Sequence, residues 1–180
     1  MTAHPNDILG FWRNAGPGRW FKKSPAFDEA IRLKFEPVHH AAARGEYDKW
    51  AGAADGALAL VILLDQFPRN LYRTSGHAFA TDPKARSVAR AAIEAGFDKT
   101  VDPALRNFFY LPFEHSEDLA DQDFSLALSA ENGVEDDVKW AGIHREIIAR
   151  FGRFPHRNPS LGRVTTDEEQ AFLDDGGFGG

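Results

Sequence analysis

The sequence predicts an all-α protein of antiparallel helix pairs, about seven to nine helices forming an αα-solenoid or an irregular bundle. Three observations carry this. Strict alternation of apolar and polar residues is sustained nowhere, and glycine and proline fall between segments of helical length. The run from Ala57 to Leu64 is apolar on every face, the mark of a buried central helix. Finally, two segments end a helix in similar words, Asp65-Gln66-Phe67-Pro68-Arg69-Asn70 and Phe151-Gly152-Arg153-Phe154-Pro155-His156-Arg157-Asn158. Proline lacks the N–H and disfavours helix at its predecessor, so each is expected to shut its helix.

In order, a short first helix covers roughly Asp7 to Arg13 and stops before Gly16-Pro17-Gly18. The second starts with Ser24 as N-cap, Pro25 in the first turn, and Asp28 and Glu29 near the positive helix end. It runs to Arg44, with Pro37 expected to kink or split it. The third covers about Tyr47 to Gln66, and the fourth runs from Asp82-Pro83 to Ala95. A fifth opens at Asp102-Pro103 and takes in Phe108, Phe109 and Phe113, with Pro112 inside it. A sixth is expected from about Ser116 to Ser129, a seventh from Asp136 to Phe151, and a short eighth from Thr165 or Thr166 to Asp174. Residues 1–180 read as one domain, with 175–180 as a mobile glycine-rich tail.

At 180 residues the chain can bury an extensive core without staples. Its 15 Phe make that core one of large flat rings packed among Ala and Gly. A net charge of −6 and a pI near 5.6 argue against nucleic acid or an anionic membrane as partner. The absence of cysteine removes disulfides, thiolate chemistry and thiolate-bound zinc. Residues 1–7 show no basic stretch followed by an apolar one, so no secretory signal is visible. The longest apolar run is too short to cross a bilayer, and cytoplasmic residence is the expectation. Oligomeric state is not legible.

Just past each Phe-Pro stands an Arg-Asn pair, a bidentate donor beside an amide. Were the two elements to meet, Asp65, Arg69, Asn70, Arg73, Arg153, Arg157 and Asn158 would line or brace a pocket for a carboxylate, phosphate or other planar anion. Asp65 follows Val61 and Ile62 on the inward face of the buried helix, where it meets the negative helix end and loses solvation. It needs a cation: Arg69 or Arg73 locally, Arg153 or Arg157 from the second element. The plain reading is a structural ion pair that pins the loop; the sharper one keeps an arginine for a ligand.

His115 and His144 lie on apolar helical faces with acids nearby, Glu114 and Asp118 for the first and Glu146 for the second. Such a histidine is usually a hydrogen-bonded core residue; if the two meet, either is a candidate acid/base near neutral pH. Glu114, His115 and His144 would make a metal triad only by accident of folding, since no metal-binding spacing is present, and no metal or cofactor is expected. Adjacent His39 and His40 point to different faces. No nucleophile elbow, P-loop or dinucleotide fingerprint occurs.

Several strings then fall in a familiar order: Gly10-Phe11-Trp12, Trp20-Phe21-Lys22-Lys23-Ser24-Pro25, Leu63-Leu64-Asp65-Gln66-Phe67-Pro68-Arg69-Asn70-Leu71-Tyr72-Arg73, Tyr110-Leu111-Pro112-Phe113-Glu114-His115-Ser116-Glu117, and Arg150 to Asn158. The chain resembles the bacterial "domain of unknown function 924" family over nearly its full length. The resemblance implies an α-α superhelical, tetratricopeptide-like fold and brings no established activity, substrate or catalytic residue.

Two functional readings follow. The first is a binding protein with an Arg/Asn/Asp-lined polar pocket for an anionic small molecule or peptide; peptide binding is the commoner use of tetratricopeptide-like arrays, by analogy of fold. The alternative is a small-molecule enzyme using His115 or His144 as acid/base, with arginine anchoring an anionic substrate.

Overall fold

The computed structural model describes residues 3–180; Met1 and Thr2, which belong to the stretch inspected for a secretory signal, lie outside the described residues. Among the described residues every regular element is helical, and no helix is long and apolar enough to cross a membrane. The chain divides into two compact units, one of residues up to Arg73 with His77–Pro112, the other of Thr74–Gly76 with Phe113–Gly180. The boundary at Pro112 falls inside a helical turn, Leu111–Glu114, where no linker composition marks it.

In the first unit, helix α1 (Pro5–Ala15) is closed at its start by a capping box between His4 and Asp7. Helix α2 (Pro25–Ala43) starts as predicted, the Ser24 hydroxyl accepting from the Phe27 N–H. Pro37 does not split it. The carbonyl that Pro37 leaves without a donor belongs to Leu33, which is 75% exposed, so water can serve it.

The predicted third helix is broken in two. A 3₁₀ segment, Asp48–Gly52, precedes helix α3 (Ala54–Val61), because the chain doubles back so closely that a Cβ on Gly56 would lie 2.2 Å from the Trp50 carbonyl oxygen. From Gly56 onward helix α3 is buried on all sides, as the uniform apolarity from Ala57 to Leu64 predicts.

Pro68 does not shut the helix either. The chain widens into a π-helical stretch, Ile62–Gln66, and continues as helix α4 (Phe67–Leu71) with Pro68 in its first turn. Helix α5 spans Asp82–Glu94. The predicted fifth helix is a 3₁₀ run, Pro103–Phe109, followed by the turn carrying Pro112. Rings from all over this unit form its core: Trp12 lies 5.6 Å from Phe67 and 5.5 Å from Phe108, and Phe35 lies 5.2 Å from Phe67.

In the second unit, helix α6 (Leu119–Asn132) begins three residues later than predicted, because Asp118 rather than Ser116 caps it. Helix α7 (Glu135–Phe151) folds back against it across Gly133-Val134, an antiparallel hairpin. The stop of α7 is Gly152, at φ 68°, a conformation that suits glycine. Pro155 instead opens a 3₁₀ turn, Pro155–Arg157, so the two Phe-Pro elements are different structures despite their similar words. Helix α8 (Asp167–Asp174) is closed by a Thr166–Glu169 capping box.

Candidate functional site

The first Phe-Pro element lies in the first unit and the second in the second unit. Asp65, on the π-helical stretch, is wholly buried. Its carboxylate accepts from the Gln66 amide at 2.7 Å and faces Arg69 at 3.2 Å. Arg69 also clamps Asp82 with two hydrogen bonds of 2.9 Å. Burial alone would lower the Arg69 pKa, but Asp65 and Asp82 together hold it above its ordinary value. Of the four cations considered for Asp65, Arg69 pairs with it, and it ties the π-helical stretch to the start of α5.

Arg73 instead grips Asp28 at 2.6 and 2.8 Å, and the Asn70 amide donates to the same carboxylate at 2.8 Å. Burial would raise the Asp28 pKa; the hydrogen bonds from Arg73 and Asn70 outweigh it and hold the carboxyl below its usual range. Asp28 begins an i, i+4 series on one face of α2: Asp28, Arg32, Glu36, His40. Each member is engaged by the 70–73 segment. Arg32 donates to the Leu71 carbonyl at 2.5 Å, and the Tyr72 hydroxyl donates to Glu36 at 3.0 Å and lies 3.1 Å from His40 Nε2. Burial and the Glu36 carboxylate push the Tyr72 phenol up to about 12, so it stays protonated.

An open groove of about 310 Å³ runs along this ladder, lined by Lys23, Asp28, Glu29, Arg32, Asn70 and Arg73, with Pro25 and Leu71. A second, of about 330 Å³, lies on the other flank of the start of α2 and is mostly apolar, with Phe11 and Phe27 beside Arg19. Neither groove is lined by His115 or His144.

In the second unit the Arg153 guanidinium holds Glu169 at 2.6 and 2.8 Å, and Asn158, wholly buried, donates to Glu169 at 3.2 Å while accepting from Arg163 at 2.9 Å. Arg157 donates to the His115 carbonyl at 3.0 Å and stacks 4.3 Å from the Phe154 ring. Glu117 receives two hydrogen bonds from Arg163 and one from the Phe154 N–H. Within the second unit, residues 115–117 and 154–163 are therefore bound to each other.

His144 is buried, and its acid is Glu114, 3.0 Å away, rather than the sequence neighbour Glu146. Its Nδ1 also lies 2.8 Å from the Trp140 carbonyl; both contacts are acceptors, so Nδ1 carries the proton. His115 is half-buried. His39 is buried and His40 exposed, on different faces of α2 as their adjacency predicts. No group of three or more His, Asp or Glu side chains is placed to hold a metal ion among the described residues.

The profile of the family described as "Bacterial protein of unknown function (DUF924)" matches residues 8–177. The chain belongs to this family. It is also similar to the solved structure of a protein of unknown function from Agrobacterium tumefaciens, at 48% identity and a TM-score of 0.92, over 95% of this chain and 97% of that one. No curated protein matches the chain. Within this DUF924 chain, the strings that carried the resemblance supply at least one partner of each ion pair above: Asp65, Arg69 and Arg73 in the first unit, and Glu114, Glu117 and Arg153 in the second. Sequence reading passed over Lys23, Asp28 and Arg32 as site residues. The signal that points to them is the four-residue spacing from Asp28 to His40, which puts polar groups on one face of a helix otherwise read only for its caps.

Proposed function

We propose that this DUF924 protein binds a carboxylate-bearing anion, in the form of an acidic peptide segment, along the groove beside α2. The observation that supports this is the lining of that groove: Lys23, Arg32 and Arg73 against Asp28 and Glu29, three cations to two carboxylates, on a chain whose net charge is −6. The Asp28 charge is already met by Arg73 and Asn70, and Arg32 is held by Glu29, Glu36 and the Leu71 carbonyl, which leaves exposed Lys23 and the outer edge of the Arg73 guanidinium to face the ligand. An open groove suits an extended chain, and the apolar groove on the other flank gives an adjacent place for an apolar side chain. In this reading Arg73 and Asn70 line the site and Asp65 and Arg69 brace it, while Arg153, Arg157 and Asn158 brace the second unit. The setting is cytoplasmic, which fractionation of the tagged protein checks.

The test is thermal melting of the wild type with acidic peptides, small dicarboxylates and inorganic phosphate at low and high salt. A Lys23→Glu variant, altered only at an exposed side chain, runs beside it. A rise with acidic peptides that fades with salt and disappears in the folded variant supports the reading. A rise of equal size in Lys23→Glu, or none with any ligand, sinks it.

A second reading, a small-molecule enzyme, draws on the His144–Glu114 contact. A carboxylate that orients an imidazole is a recurrent feature of general acid/base sites.

A further inference from the structure

After helix α8 the chain reads Gly176-Gly177-Phe178-Gly179-Gly180. The turn that follows the helix is specified by its residues. Gly176 sits at φ 82°, and a Cβ on Gly177 would lie 2.5 Å from the Phe172 carbonyl oxygen. That close approach lets the Gly177 N–H reach the same carbonyl at 2.9 Å, the last backbone hydrogen bond of the segment among the described residues. Beyond it Phe178 is held by rings. Its centroid lies 4.5 Å from that of His144, 5.1 Å from His156 and 6.1 Å from Trp140, and it packs against the cluster of Ile147, Ile148 and Phe154. Under it is the buried His144–Glu114 pair.

We propose that Phe178 is a displaceable cover: it occupies a cleft, formed by Trp140, His144, Phe154 and His156, that receives a glycine-flanked aromatic side chain of another polypeptide. The chain's own segment is the template for that ligand, and being tethered it competes with it. Edge-to-face contacts with two imidazoles and a tilted contact with an indole select an aromatic ring over an aliphatic chain. Glycines on both sides let the segment leave at small cost in local order. This site is independent of the groove beside α2, and its occupant differs in chemistry.

The test follows His144 by site-resolved modification with diethyl pyrocarbonate, in the wild type, in Phe178→Ala and in Gly177→Ala, which disturbs the turn and leaves the ring intact. A blocked Gly-Gly-Phe-Gly-Gly peptide is the probe and Gly-Gly-Ala-Gly-Gly its control. His144 should react about 10-fold faster in both folded variants, as expected when a local cover is removed. The Phe peptide should restore protection in Phe178→Ala and the Ala peptide should not. The wild type should need roughly 10-fold more Phe peptide, since a tethered occupant lowers the open fraction. Unchanged His144 reactivity in the variants, or no protection by the Phe peptide, overturns the proposal. So does failure of both variants to fold, which would make Phe178 an ordinary core side chain.

Discussion

The Thr81 hydroxyl donates to the Leu64 carbonyl at 2.5 Å, and Leu64 is the residue whose helical donor Pro68 cannot supply. One position earlier the Phe67 N–H reaches back to Ile62 rather than Leu63. The Leu63 carbonyl accepts from His39 Nδ1 instead, at 2.8 Å. Two carbonyls left over by a proline and a π-turn, both in residues with no solvent exposure, are thus satisfied by side chains from α5's N-cap and from α2. That is why a proline inside a buried segment is tolerated here.

Thr81→Val keeps the shape and removes the donor. With Leu64 buried, the loss should be about 1–3 kcal/mol of stability, the range for an unsatisfied buried acceptor. Thr81→Ser should recover most of it. Urea unfolding of the three proteins measures this; equal midpoints for Val and wild type would show that the carbonyl finds another donor.

Asp65→Ala leaves Arg69 with Asp82 alone and should cost roughly 3–5 kcal/mol, as for breaking a buried pair. Adding Arg69→Met should cost less than the sum of the single changes, because the Asp65–Arg69 contact is then lost only once. A double-mutant cycle in urea reads the coupling, and strict additivity would count against the pair.

The Arg153 guanidinium, outweighing burial, draws the Glu169 carboxyl from 4.5 down to about 2. A carboxylate whose folded pKa lies below its unfolded value stabilises above the unfolded value and loses that contribution as pH falls through the folded one. The stability gap between wild type and Glu169→Gln should therefore be full above pH 4.5 and shrink toward pH 2. Burial also lowers the His39 pKa below 6.5, so a first loss of stability should appear as pH falls below 6.5 and be absent in a folded His39→Gln variant. Denaturant midpoints taken from pH 7 to pH 2 check both.

Gly56→Ala puts a methyl 2.2 Å from the Trp50 carbonyl oxygen, which is backbone and cannot swing aside. The expected cost is about 1–3 kcal/mol, typical of overpacking. Calorimetry decides; a neutral result would mean that the 48–52 segment shifts freely.

Much of this protein is legible in one dimension. Helical periodicity and caps at Ser24, Asp102 and Thr166 are local properties, and the structure repeats them within a few residues. The uniform apolarity of 57–64 marks the central helix because burial on all faces leaves no other composition stable. The cationic Arg69, Arg73 and Arg153 were also visible as chain features.

Their partners were not. Asp65 stands near two local arginines, and only packing decides that Arg69 takes Asp65 and Asp82 while Arg73 crosses to Asp28 on α2. Glu114 adjoins His115 in sequence yet faces His144. Pro37 and Pro68 read as breaks, and each is carried within helical structure: the carbonyl that Pro37 strands belongs to exposed Leu33, where water can reach it, and the one that Pro68 strands, at Leu64, accepts from Thr81. Sequence by itself determines that the segments are helical and where several of them are capped, since hydrogen bonds within a helix join residues four apart. The break at 48–54 and the 3₁₀ run at 103–109 follow from the fold. Tertiary structure alone decides who satisfies a buried charge or an orphaned carbonyl, because those partners lie tens of residues away and are chosen by distance in space.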